Sequence, residues 1–127
     1  MHPTLAFSLV TIVAVLTSFL AYVFDWNETH VYNPNWPPHA KFHNAQTLLL
    51  GPLLGSVSLW LLWYRHDLHL AALTASLYWV AQLGSLTFPR TALIDPEFRA
   101  LKGSRPPMQP LLASVLLALL VTAWAVV

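Results

Sequence analysis

Cysteine is absent from this 127-residue chain. That single absence excludes disulfide frameworks, thiolate nucleophiles, iron–sulfur clusters and thiolate metal centres. Charge is nearly as scarce: Asp, Glu, Lys and Arg make up 9% of the residues, where soluble domains carry about 25%. A soluble helical bundle needs charged outer faces, and there is too little charge here to build them. The net charge of +1 supplies no basic surface to gather phosphates, so nucleic-acid binding is not expected. What is plentiful is apolar: 57% of the chain is hydrophobic, above the roughly 45–50% of soluble domains. The chain falls in the membrane class, with length for one domain.

A hydrocarbon core about 30 Å thick takes roughly 20 apolar residues in a helix. Residues 4–24, 42–64, 68–88 and 110–127 meet that demand, and the expected fold is all-α, a four-transmembrane-helix antiparallel bundle in the lipid bilayer. The opening Met1-His2-Pro3-Thr4 lacks the basic residues of a signal peptide, so the first apolar run is expected to be a retained helix. Basic residues set the expected orientation. Lys41, Arg90, Arg99, Lys102 and Arg105 lie on one side and only Arg65 on the other, which puts loops 1 and 3 in the cytoplasm and both termini outside.

Polar residues within these helices form stripes. Thr4, Ser8, Thr11, Ser18, Tyr22 and Asp25 fall within about 100° of one another on helix 1 and are expected to face inward. Thr74, Tyr78, Gln82 and Ser85 form a second stripe on helix 3. Gln82 stands out, because an amide in hydrocarbon is costly without a partner. Helix 2 opens at Pro37-Pro38, with His39, His43, Gln46 and Thr47 on one face and Asn44, Gly51, Gly55 and Ser58 on the adjoining one. Gly51 and Gly55, four apart, allow another backbone to come close and are the expected contact of a homo-oligomer. Asp67 is placed to cap helix 3. Asp95-Pro96-Glu97 followed by Arg99, Lys102 and Gly103 reads as a short interfacial helix with its basic residues toward lipid phosphates. Helix 4 is almost free of polar groups and is expected to be supporting.

Antiparallel connectivity brings the end of helix 1, the start of helix 2 and the end of helix 3 to one membrane face. A polar cavity is expected there, able to take a lipophilic small molecule. Its candidate ligand-binding residues are Tyr22, Trp36, Asn44, Gln46, Tyr78, Gln82 and Ser85. Catalysis, if there is any, would be acid–base, with His39 or His43 as base and Asp25 or Glu28 as partner. The competing readings are a non-catalytic scaffold or accessory subunit and a divalent metal shared by His39 and His43 at i and i+4. No other cofactor is expected.

The run Asp25-Trp26-Asn27-Glu28-Thr29-His30, followed by Asn33-Pro34-Asn35-Trp36-Pro37-Pro38-His39-Ala40-Lys41-Phe42-His43-Asn44-Ala45-Gln46, resembles the signature of a family of small four-helix membrane proteins. That family is described only as a domain of unknown function, so the resemblance implies a fold and no activity. The chain is more weakly similar to the sterol-isomerase and sigma-2 receptor (EXPERA) family, whose polar groups surround a buried lipophilic ligand. The acidic residues within that family's helices have no matching positions here. His43-Asn44 matches only a fragment of the helix-2 pattern of the membrane-associated eicosanoid and glutathione metabolism proteins.

Overall fold

A computed structural model describes residues 3–99 and 108–127. The described residues include four long α-helices, α1 (Pro3–Asp25), α2 (Pro38–Trp63), α3 (Leu68–Ser85) and α4 (Met108–Ala125), with a 3₁₀ turn at Pro96–Phe98. No strand occurs among the described residues. The all-α antiparallel bundle expected from the sequence is therefore the observed architecture. α1 and α3 each touch all three other helices, while α2 and α4 do not meet. The bundle is thus a rhombus in cross-section, with α1 and α3 on its short diagonal.

Three of the helices are long and apolar enough to cross a membrane: α1 over Thr4–Asp25, α2 and α4. At 1.5 Å per residue the 26 residues of α2 reach about 39 Å, some 9 Å beyond a hydrocarbon core. α2 is thus longer than an upright crossing requires. The expectation of four spans is met by three on length and apolarity. α3 is shorter than expected, ending at Ser85 instead of residue 88, and His69, Gln82 and two serines dilute its apolar character. It is nevertheless packed along the other three helices.

Large and small residues are distributed in the sense that hydrocarbon favours. Half of the buried apolar residues are alanine, among them Ala6, Ala14, Ala71, Ala75, Ala113 and Ala123, and the rest are Val, Leu and the one large ring of Trp79. The bulky side chains point out, Phe19 being 64% exposed, Leu53 63% and Val121 69%. In lipid there is no hydrophobic drive between helices, so small residues that permit close van der Waals packing occupy the contacts.

The closest approach is between α1 and α2. A Cβ on Gly51 would stand 2.5 Å from the Thr17 carbonyl oxygen, and one on Gly55 would run into Ser18 and the Ala14 carbonyl oxygen. The two glycines expected to contact a second copy are thus buried against α1 of the same chain. Their surface is already used, and an oligomer through it would require α1 and α2 to part.

Polar groups inside the bundle are partnered across helices. The Trp79 indole N–H donates to Thr17 Oγ1 at 2.8 Å, and that hydroxyl donates to the Val13 carbonyl oxygen. At the surface, the exposed Trp63 indole repeats the arrangement on Thr11, which donates to the Phe7 carbonyl oxygen. Ser58 Oγ joins α2 to α3 by donating to the Ala71 carbonyl oxygen at 2.8 Å. Asp67 accepts from the Leu70 amide, as a helix cap should. The expected inward stripe on α1 holds only in part. Ser18 is buried and Thr11 partly so, but Thr4 and Ser8 are exposed, and Ser8 turns its hydroxyl back to the Thr4 carbonyl oxygen. A hydroxyl that bonds its own helix can face lipid at little cost.

The glycine packing has a direct test. Gly55→Ala should destabilise the protein by about 1–3 kcal/mol, the range for overpacking a tight contact. Gly84→Ala, where nothing lies within 4 Å of an added Cβ, should be neutral or stabilising by about 0.5–1 kcal/mol. Unfolding midpoints in mild detergent read both, and equal shifts would contradict the assignment.

Candidate ligand-binding cavity

The polar end of the bundle is built where α1 stops. Asn27 ends the helix with its side chain: Nδ2 donates to the Phe24 carbonyl oxygen at 2.6 Å, while Oδ1 accepts from the Thr29 amide and hydroxyl. Asp25 is thereby held as the last residue of α1, its side chain only 14% exposed. Its Oδ2 accepts from Asn44 Nδ2 of α2 at 3.0 Å, a charge-assisted bond that ties the two helices together. Its Oδ1 lies 3.8 Å from His30 Nε2.

Beside Asp25 is a cavity of about 280 Å³. Its apolar wall includes Leu20, Ala21, Phe24, Leu50, Trp79 and Leu112, and its polar groups are Asp25, Thr47, Tyr78, Gln82, Ser85 and Gln109. All four helices contribute. Gln82 Oε1 is buried with no hydrogen-bond partner, which costs about 1–3 kcal/mol for an amide oxygen removed from water. Among the described residues it is the one buried side-chain polar atom left without a partner.

Of the residues singled out from the sequence, Asp25, Tyr78, Gln82 and Ser85 line this cavity, and Asn44 supports it through Asp25. The others are placed elsewhere. His39 and His43 are exposed on the first turns of α2, their Nε2 atoms 3.0 Å apart, and His43 Nδ1 faces Gln46 Oε1 at 2.8 Å. They pair with each other rather than with Asp25 or Glu28. Glu28 is exposed in loop 1, and Tyr22 stacks on Trp26 at 5.8 Å. Among the described residues no three His, Asp or Glu side chains are grouped to hold a metal ion.

Two cavity residues, Thr47 and Gln109, were not singled out as candidates. Gln109 falls just before the expected start of helix 4 at residue 110, whereas α4 begins at Met108. Thr47 belongs to the histidine face of α2, at the point where that face passes α3.

Loop 3 also differs from expectation. The described part of the predicted helix opens as a 3₁₀ turn at Pro96–Phe98 that Asp95 does not cap, and its residues 100–103 lie outside the described residues. Asp95 instead accepts from the Trp36 indole N–H at 3.2 Å, which makes Trp36 a strut between loops. Glu97 accepts from Asn33 at 3.0 Å and from Asn35 at 2.8 Å. Asn33 is fully buried in this contact. Loops 1 and 3 are therefore latched together at the cavity end, by two carboxylates expected only to order a surface helix. Lys102, Gly103 and Arg105, which entered that expectation and the orientation argument, lie outside the described residues.

The chain is by fold a small helical bundle suited to a membrane. The sequence model described as "Family of unknown function (DUF6640)" matches residues 9–125, and the chain belongs to that family. No curated protein and no solved structure matches it. The weaker likeness to the sterol-isomerase and sigma-2 receptor family gains no support from these comparisons.

The latch predicts that Asn35→Cys with Glu97→Cys, in a chain that has no other cysteine, will be joined by a short bifunctional thiol reagent in membranes. Cleavage between the two positions should then leave the fragments linked. Separation of the fragments would show that loops 1 and 3 are not in contact.

Proposed function

We propose that this protein binds a lipophilic small molecule in the cavity between its four helices. One observation carries the reading: the Gln82 amide lines a 280 Å³ cavity and has a buried, unpartnered oxygen. Ligand sites are commonly largely apolar hollows with a few convergent polar groups, and this hollow has that composition. Polar residues inside a membrane bundle that are not paired with each other mark a site by default. The size suits a ring or a headgroup with part of a chain, and the apolar wall suits a molecule arriving from the bilayer.

The reading is one of binding. No imidazole lines the cavity among the described residues, and the two histidines expected to serve as bases are paired on the surface. A purely structural polar network, the alternative reading, would leave no reason for the open amide.

Replacement of Gln82 by Leu separates function from stability. The substitution removes an unsatisfied amide, so the empty protein should become more stable, by about 1–3 kcal/mol. The lipid extract of purified wild type should contain an enriched small lipophile that is missing from Gln82→Leu. Mass spectrometry of both extracts checks this, and a wild-type extract indistinguishable from bulk lipid would end the proposal.

A further inference from the structure

We infer that the guest of the cavity carries a protonated amine at its polar end, an inference that rests on the cavity being a ligand site. Hydroxyl hydrogens on the cavity wall are already committed. Thr47 Oγ1 donates its hydrogen to the His43 carbonyl oxygen at 3.2 Å, and Ser85 Oγ donates to the Gln82 carbonyl oxygen at 2.7 Å. Both hydroxyls have spent their hydrogens on backbone, and what each can still offer is lone pairs. Asp25 is a pure acceptor with about four lone-pair sites, of which Asn44 takes one. The Gln82 and Gln109 amides and the Tyr78 hydroxyl can act either way.

The wall is thus rich in acceptors and carries one negative charge. Among the described residues no Lys, Arg or His lines it. The basic group beside Asp25, His30, has its Nε2 at 3.8 Å from Oδ1, beyond hydrogen-bond reach. A guest that set a carboxylate or phosphate directly against Asp25 would have, among the described residues, only His30 at 3.8 Å to offset the repulsion. An ether or ester would bring only further acceptors, and an alcohol one hydrogen. An ammonium brings three donors and the charge that offsets Asp25 in a setting of low dielectric, where such bonds are strongest. Leu20, Phe24, Leu50 and Leu112 receive the hydrocarbon to which it is attached. The same chemistry is available from a free long-chain amine and from the headgroup of an aminophospholipid.

The test uses the full chain in phosphatidylcholine nanodiscs and three photoreactive alkyl-diazirine probes of equal length, ending in ammonium, hydroxyl or carboxylate. Cross-linked peptides are mapped by mass spectrometry. The ammonium probe should label the cavity-lining segments of α1, α2 and α3 about tenfold more than either other probe, as one charge-assisted contact allows. Asp25→Asn should remove that preference, and Asp25→Glu, which keeps the charge, should retain it. Competition by phosphatidylethanolamine in the disc would assign the headgroup as the source, and competition by dodecylamine alone would assign the free amine. Equal labelling of the cavity by ammonium and hydroxyl probes, unchanged in Asp25→Asn, would overturn the amine while leaving the ligand site. Labelling of the cavity segments no stronger than of the lipid-facing side of α4, with every probe, would overturn both.

Discussion

Hydrocarbon offers nothing to hydrogen-bond, so the polar atoms inside a membrane bundle depend on partners within the protein. The Trp79 indole shows how the constraint is met. It is the largest buried side chain, it lies on the short diagonal between α3 and α1, and its N–H ends on Thr17, whose own hydrogen ends on Val13. The same relay from indole to threonine to carbonyl joins Trp63 to α1 nearer the other end. Around these fixed points the helices need only small residues to close, and alanine and glycine supply them. Gly51 and Gly55 bring α2 onto α1 at backbone distance, which leaves α2 no room to rotate.

That rotation decides the chemistry at the polar end. With Gly51, Gly55, Ser58 and Leu62 buried, the same stripe continued toward the start of α2 passes through Leu48 and Asn44, and Asn44 meets Asp25. His43 is one residue, about 100°, away from Asn44 and is turned outward with His39. The cavity is formed where α3 and α4 meet this edge, and Gln82 is the buried group whose oxygen the bundle leaves without a partner. The bundle is closed and satisfied along the Trp79 relay and open at one end, where the latched loops 1 and 3 stand.

Much of this was legible in the sequence. The scarcity of charge and the lengths of the apolar runs indicate a helical bundle in lipid, and connectivity alone brings Asp25, Gln82 and Ser85 to one end. The signal for the rotation of α2 was also present, since Gly51, Gly55 and Ser58 define a small-residue face that includes Asn44. Two histidines at i and i+4 drew attention to the neighbouring face, but small residues at a membrane contact outweigh polar ones at a helix mouth. The latch was not legible. Its partners are separated by 59 to 64 residues, and the local helix signal of Asp95-Pro96-Glu97 gives no hint that both carboxylates reach across to loop 1. Gln109 was lost to a helix boundary two residues out.

The central claim is that the Gln82 side chain is held without a protein partner, in reserve for a guest, and NMR of the side-chain amides reads it directly. In nanodiscs, the ¹⁵N-labelled Gln82 amide should shift between protein as purified and protein stripped of lipophiles by detergent exchange. The Trp79 indole resonance, locked on Thr17, should stay where it is. A Gln82 amide that shows a fixed protein hydrogen bond and does not move on stripping would contradict the account.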